Sequence, residues 1–202
     1  MIAIVDYGVG NLFSLYSSLK SLSLDTVIAK DKETIEKADK IILPGVGAFK
    51  DARDKLKETG LDEVVIREAK EGKPLLGICL GMQMLFEKSF EYGEHTGLAL
   101  IKGSVVPLSG RITSLKIPHM GWNSLDMNFE SRLYKYVSGG EYVYFVHSFY
   151  ADCQRDNISA TSFYGIDVTA SVESGNVFGT QFHPEKSGIV GLRILKAFSE
   201  IK

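Results

Sequence analysis

Residues 74–83 read Pro74-Leu75-Leu76-Gly77-Ile78-Cys79-Leu80-Gly81-Met82-Gln83, an apolar run that ends on a cysteine held between two glycines. A short, uniformly apolar run of this kind predicts a strand buried on both faces, the environment of a parallel sheet. Met82, Leu85 and Phe86 follow at helical spacing, so the chain is expected to turn from strand to helix at Cys79. The same unit recurs upstream. Ile2 to Asp6 is an apolar run closed by Tyr7-Gly8-Val9-Gly10-Asn11, and Leu12, Leu15, Tyr16, Leu19 and Leu22 then fall on one helical face. Thr26 to Ala29 predicts a second strand. Lys40 to Leu43 predicts a third, closed by Pro44-Gly45-Val46-Gly47 and followed by a charged stretch, Lys50 to Glu58, suited to an exposed helix. A helix through Val64, Val65, Ile66 and Ala69, ending near Gly72, leads back to the opening run.

Strands alternating with helices predict an α/β protein of three layers, a mostly parallel central sheet with helices on both faces. From about Gly97 the texture changes to short β-like runs, Val105-Val106, Tyr142 to Val146, Ala160 to Tyr164, Thr169 to Val172 and Val177 to Gln181, which predict an antiparallel β extension. Gly188 to Ile201 closes the chain as an amphipathic helix. With no linker, repeat or low-complexity tract, residues 1–202 are expected to form a single domain.

Composition narrows the function. Of 202 residues, 45% are hydrophobic and 24% charged, as in ordinary globular chains rather than disordered or fibrous ones. The 23 basic and 25 acidic side chains leave a formal net charge of −2, with no general attraction for nucleic acid. No apolar run approaches the roughly 20 residues of a membrane span, so no membrane association is expected. The start Met1-Ile2-Ala3-Ile4-Val5-Asp6 reads as a strand rather than a signal peptide. Two cysteines, Cys79 and Cys153, suit a reduced, cytoplasmic setting. The histidines, His95, His119, His147 and His183, show no metal-ligand spacing, so no metal is expected. Gly8-Val9-Gly10 lacks the third glycine of a dinucleotide fingerprint, and no cofactor is expected.

The chemistry gathers at Cys79. Glycines on both sides of a strand-to-helix turn are the pattern of a nucleophile elbow, with the sulfur raised over the sheet edge and backbone N–H groups beside it to favour the thiolate. The competing reading is a small buried hydrophobe. Downstream, Gln181-Phe182-His183-Pro184-Glu185 offers a base and a carboxylate. Proline disfavours helix at His183, so His183 and Glu185 are expected to stay extended, about 6.6 Å apart along the strand, with the carboxylate orienting the imidazole. A surface turn is the bland alternative. Cys79, His183 and Glu185 together would make a nucleophile, base and orienter. Gly45, Val46 and Gly47, at the end of another strand, could turn their N–H groups toward an oxyanion at the same rim. Trp122 in Pro118-His119-Met120-Gly121-Trp122-Asn123 reads, with Tyr142 and Tyr144, as core aromatics or as a partner-docking surface, and pattern alone favours core.

Gly77-Ile78-Cys79-Leu80-Gly81-Met82-Gln83, Phe182-His183-Pro184-Glu185 and Leu43-Pro44-Gly45-Val46-Gly47 together resemble class I glutamine amidotransferase domains, along the whole chain. Asp6 to Asn11, Pro118 to Asn123 and Gln181 to Ser187 point to members that serve a separate cyclase subunit in amino-acid biosynthesis. The resemblance implies hydrolysis of the side-chain amide of L-glutamine through a cysteine thioester, giving glutamate and ammonia. Cys79 would be the nucleophile, His183 the base and acid, and Glu185 its partner. The N–H of Leu80 would join the Gly45–Gly47 segment in the oxyanion hole, and Gln83, Glu91, Ser148 and Phe149 would contact glutamine. The ammonia would pass to a cyclase with a (β/α)8 barrel in a heterodimer, with Asn11, Trp122, Tyr144 and Lys186 at the interface. Service to another synthase (anthranilate, pyridoxal phosphate or purine), or a non-catalytic scaffold of the same fold, stays open at this point.

Overall fold

The computed structural model describes residues 1–128 and 130–202. Its first half runs β1 (Ile2–Val5), α1 (Leu12–Ser21), β2 (Thr26–Ala29), α2 (Lys32–Lys37), β3 (Lys40–Gly45), α3 (Phe49–Glu58), α4 (Leu61–Lys70), β4 (Leu75–Cys79) and α5 (Leu80–Met84). The second half runs β5 (Phe86–Ser89), β6 (His95–Thr96), β7 (Ile101–Pro107), β8 (His119–Ser124), β9 (Asp126–Met127), β10 (Tyr142–His147), β11 (Phe149–Cys153), β12 (Ile158–Phe163), β13 (Asp167–Ser174), β14 (Val177–Thr180) and α6 (Gly188–Ser199).

The large sheet has the order β2-β1-β3-β4-β14-β13-β12-β9, parallel from β2 to β14 and antiparallel beyond. Successive side chains of its central strands go to opposite faces. Ala3, Val5, Ile41, Leu43 and Leu75 join one core with residues of α2, α3 and α4, whereas Ile2, Ile4, Ile42, Leu76 and Ile78 join another with residues of α1 and α6. Both faces are covered, which is why these strands read as unbroken apolar runs rather than alternating ones. A four-stranded sheet, β11-β7-β5-β6, and a two-stranded ribbon, β10-β8, stand beside it.

Three expectations change. The helix after Cys79 stops at Met84, and Phe86, placed on that helix by its spacing, instead opens β5. Leu85 and Phe86 are both fully buried, a demand that a helix end or a strand start can each meet, so apolar spacing could not separate the two. The charged stretch at α3 is not wholly exposed, because Phe49, Ala52 and Leu56 form a buried stripe at helical spacing. Trp122 is not core but 56% exposed, and Tyr142 is also exposed.

Candidate active site

β4 delivers Cys79 to the sheet edge with φ +55° and ψ −112°, the left-handed half of backbone space, which costs a residue with a Cβ about 1–3 kcal/mol. The flanking glycines explain how the turn holds. A Cβ on Gly81 would lie 1.9 Å from the Leu43 carbonyl oxygen, one on Gly77 would lie 2.7 Å from the Gly81 carbonyl oxygen, and one on Gly45 would lie 2.7 Å from the Gly81 nitrogen. Backbone is thus pressed on backbone at three places, and β3 and β4 meet edge to edge where Gly45 pairs with Cys79. The elbow expected from the glycine spacing is present, although α5 has only five residues.

His183 comes from the adjacent parallel strand, β14, just past its end at Thr180. Its backbone N–H donates to the Tyr144 carbonyl (3.0 Å), and its own carbonyl accepts from the Ser187 hydroxyl (2.6 Å), so the ring position is fixed from both sides. His183 itself is extended, but residues Pro184–Lys186 form a tight 3-10 turn rather than continuing the strand. The turn brings Glu185 Oε1 to 2.8 Å from His183 Nδ1, with both side chains almost fully buried. His183 and Cys79 line the same cavity, and the sulfur's own hydrogen-bond contacts are the Val146 carbonyl (4.0 Å) and Gln181 Nε2 (3.8 Å). Burial alone would drive the imidazole toward its neutral form. The neighbouring Cys79 and the hydrogen-bonded Glu185 carboxylate outweigh it and raise the His183 pKa to about 10. The site therefore favours the imidazolium form of His183.

Around the sulfur lies a cavity of about 230 Å³ lined by Val46, Gly47, Leu80, Gln83, Glu91 and the segment Val146–Phe149, together with Cys79 and His183. This is room for a small amino-acid side chain. Val46 and Gly47 line it, as does Leu80; Gly45 sits behind, where its missing Cβ makes space for the elbow. The buried Tyr7 hydroxyl donates to the Pro44 carbonyl (2.7 Å), pinning the peptide that leads into Val46 and Gly47. Glu91 Oε2 accepts from the Phe49 N–H (2.7 Å), and burial raises the pKa of this carboxyl. Glu91 is thereby placed at the far wall with its second oxygen uncommitted to that bond.

Two contributors were assigned no role from the sequence. Gln181 is fully buried and points Nε2 at the Cys79 sulfur (3.8 Å), while its Oε1 accepts from Gln83 Nε2 (3.0 Å). His147 also lines the cavity. Gln181 could have been noticed as a polar residue closing an apolar strand, but only the fold brings it to Gln83, 98 residues away in the chain.

On the outer surface, Trp122 and Tyr144 are directly paired across β8 and β10, with ring centroids 6.1 Å apart, and Lys186 Nζ lies 5.9 Å from the Tyr144 ring centre. Val146, on the same face of the ribbon, reaches the cavity. Asn11 lies apart, capping α1 through its side-chain oxygen and lining a small void shared with Gly45, His183 and Glu185.

Residues 3–199 match the family model described as glutamine amidotransferase class-I. Among curated proteins, the chain is 50% identical over 200 residues to the imidazole glycerol phosphate synthase subunit HisH of Lactococcus lactis, covering 98% of each chain. It is 48% identical over 202 residues to the protein of the same name from Oceanobacillus iheyensis, covering 100% of this chain and 99% of the relative. Among solved structures, a glutamine amidotransferase superposes with TM-score 0.78 at 21% identity over 99% of this chain and 98% of the other. The Trypanosoma brucei CTPS glutaminase domain with bound acivicin superposes with TM-score 0.67 at 16% identity, covering 100% of this chain and 94% of the other. These structural likenesses speak to the fold.

Proposed function

The chain belongs to the class I glutamine amidotransferase family, and from that premise we propose that it is the glutaminase subunit of an imidazole glycerol phosphate synthase, in histidine biosynthesis. It hydrolyses L-glutamine and supplies ammonia to a cyclase subunit. The observation that carries the reading is the convergence of Cys79, on its glycine-flanked turn, and the hydrogen-bonded pair His183–Glu185 on one cavity with room for a glutamine side chain.

The Cys79 thiolate attacks the side-chain amide carbon, and the carbonyl oxygen becomes an oxyanion facing the N–H groups of Leu80 and the Val46–Gly47 segment. As the tetrahedral species collapses, the C–N bond breaks and His183, protonated on the nitrogen facing the sulfur, hands that proton to the departing amine. Ammonia leaves and a thioester remains. Water then attacks the thioester carbon, His183 takes its proton, and the C–S bond breaks to release glutamate and the thiolate. Glu185 keeps its Nδ1 partner throughout, which holds the ring and stabilises its positive charge. Glu91 anchors the substrate's ammonium group, and Gln83, Ser148 and Phe149 fix its remaining atoms.

Ammonia set free in water at neutral pH would become non-nucleophilic ammonium, so delivery has to be covered. The exposed Trp122–Tyr144–Lys186 face, continuous with cavity-lining Val146, supports docking of the cyclase there, with Asn11 as a further contact. We read the partner as a (β/α)8 barrel in a heterodimer, and this chain as one cytoplasmic glutaminase domain over residues 1–202, without cofactor, metal, nucleic acid or membrane partners. Among the described residues, no helix is long and apolar enough to cross a membrane.

The test is synthesis by the assembled complex. Cys79→Ala is expected to cut glutamine-dependent turnover by at least ~10³-fold while ammonia-dependent turnover persists. Loss of both activities, or loss of neither, would overturn the assignment.

A further inference from the structure

β8 and β10 form a two-stranded ribbon whose register places Met120, Trp122 and Ser124 opposite Val146, Tyr144 and Tyr142 on the outer face. On the inner face His119 stands directly opposite His147. Both histidines are buried. His119 Nδ1 lies 3.0 Å from His147 Nε2, His147 Nδ1 lies 2.9 Å from the Phe149 carbonyl oxygen, and Asn123 Nδ2 lies 3.2 Å from His119 Nε2. The His119 ring is stacked between Phe145 and Tyr164, with centroids 4.6 and 4.0 Å away.

One end of this chain decides the polarity of the rest. A carbonyl oxygen only accepts, so His147 must carry its proton on Nδ1, which leaves Nε2 as an acceptor. His119 must then donate from Nδ1, and its Nε2 accepts from the Asn123 amide. That amide is itself fixed, because Nδ2 also donates to the Phe163 carbonyl (2.9 Å) and Oδ1 accepts from the Ser124 N–H (2.9 Å). Every polar atom of the two rings is satisfied only with both rings neutral and both protons on Nδ1.

The Phe149 carbonyl accepts a second bond, from Gln83 Nε2 (3.0 Å). Gln83 also donates to Gln181, and Gln181 donates to the Cys79 sulfur. An unbroken hydrogen-bond chain thus runs from Asn123, beside the exposed Trp122, through His119, His147, Phe149, Gln83 and Gln181 to the nucleophile. We propose that His119 and His147 are positioning residues of the glutaminase: as a pair of neutral Nδ1–H tautomers they hold the Phe149 carbonyl, and through it Gln83 and Gln181, in register with Cys79.

The titratable groups facing the pair are few. His183 lies across the cavity from His147, and the Tyr164 ring covers His119 while its hydroxyl donates to the Lys116 carbonyl. No carboxylate hydrogen-bonds either ring among the described residues. Burial holds both rings neutral and at His147 outweighs the opposite pull of the Phe149 carbonyl.

The proposal rests on the glutaminase reading, so the experiment has one arm that needs no activity. In ¹⁵N-histidine spectra of the complex at pH 7, both rings are expected as neutral Nδ1–H tautomers. An imidazolium, or an Nε2–H tautomer at either position, overturns the proposal even if the enzyme is active. In the second arm His119→Phe keeps the stacking but removes both nitrogens, and His119→Asn restores an N–H where Nδ1 donates. Glutamine kcat/KM of the complex is expected to fall about tenfold or more in His119→Phe and to recover at least half of that loss, on a logarithmic scale, in His119→Asn. Equal impairment of the two variants would show packing rather than positioning, and wild-type kinetics in His119→Phe would remove the role altogether. If His119→Phe does not fold, the spectra alone decide. A wild-type complex without glutaminase activity would instead count against the glutaminase reading and leave the tautomer result intact.

Discussion

The elbow at Cys79 and the β8–β10 ribbon both reach the same cavity, yet they are held there by different forces. At the elbow, peptide groups of β3, β4 and α5 are in direct contact, and Gly45, Gly77 and Gly81 leave no space for even one added carbon. The ribbon touches the site through hydrogen bonds, among them His147 Nδ1 to the Phe149 carbonyl and the His183 N–H to the Tyr144 carbonyl, and its outer face, with Met120 and Trp122 both more than half exposed, is open to solvent. Backbone contact tolerates almost no displacement, whereas a hydrogen-bonded chain has a defined polarity but a softer position. Cys79 is therefore built into the core, and another wall of its cavity is positioned by an element whose outer face is exposed.

The strongest way to break this comparison is to put a methyl group on each side of it. Gly81→Ala drives a Cβ to 1.9 Å from the Leu43 carbonyl oxygen, so the strands must separate. A loss above ~4 kcal/mol in urea unfolding is expected, with glutaminase activity gone. Gly121→Ala on the ribbon meets no atom within 4 Å and pays only for its φ of +123°, an expected ~1–3 kcal/mol. Similar losses at the two glycines would erase the distinction.

pH sharpens it, because the two regions respond with opposite sign. Burial lowers the pKa of His119 to about 4 and that of His147 to about 3, against about 6.5 when unfolded. Between these values the unfolded chain binds more protons than the folded one. The ribbon's contribution is thus complete above about pH 6.5 and is lost as pH falls toward 4 and 3. At the elbow the His183 pKa is raised to about 10, so its contribution is complete below about pH 6.5 and is lost as pH rises through about 10. Urea midpoints should fall on both sides of neutrality, by up to ~1.4 kcal/mol per pH unit for each proton exchanged. His119→Phe should flatten the acid limb and leave the alkaline limb in place.

The smallest effect on the chain itself is expected at Trp122. Its side chain is 56% exposed and pairs only at its edge with Tyr144, so Trp122→Ala should shift unfolding by no more than ~0.5 kcal/mol. Affinity for the cyclase, measured by titration calorimetry, should drop by ~2 kcal/mol if the face is the docking surface. Unchanged affinity would move the interface elsewhere.

The parallel half of the fold was legible because residues buried on both faces leave apolar runs punctuated by glycine, and the elbow was legible because its steric demand falls on two glycines beside one cysteine. The end of α5 was not, since two adjacent buried apolar residues, Leu85 and Phe86, suit a helix end and a strand start equally well. Pattern alone favoured core over a docking surface for Trp122, because which face of a ribbon meets solvent depends on its pairing with Tyr144 on a distant strand. Glu185 was read as a partner of His183 but given an extended backbone; a 3-10 turn closes the same contact more tightly. Gln181 and His147 escaped because their partners are set by tertiary packing alone.

The claim on which the account turns is that Cys79 is the nucleophile, and trapping tests it most directly. A glutamine analogue carrying a chloroketone, incubated with the complex and followed by peptide mass spectrometry, should add once, at Cys79. Cys153, whose thiol burial pushes up to about 11, should stay unmodified. Glutamine-dependent synthesis should disappear in step with labelling while ammonia-dependent synthesis continues. Label at Cys153 instead, or glutamine turnover that survives complete labelling of Cys79, would contradict it.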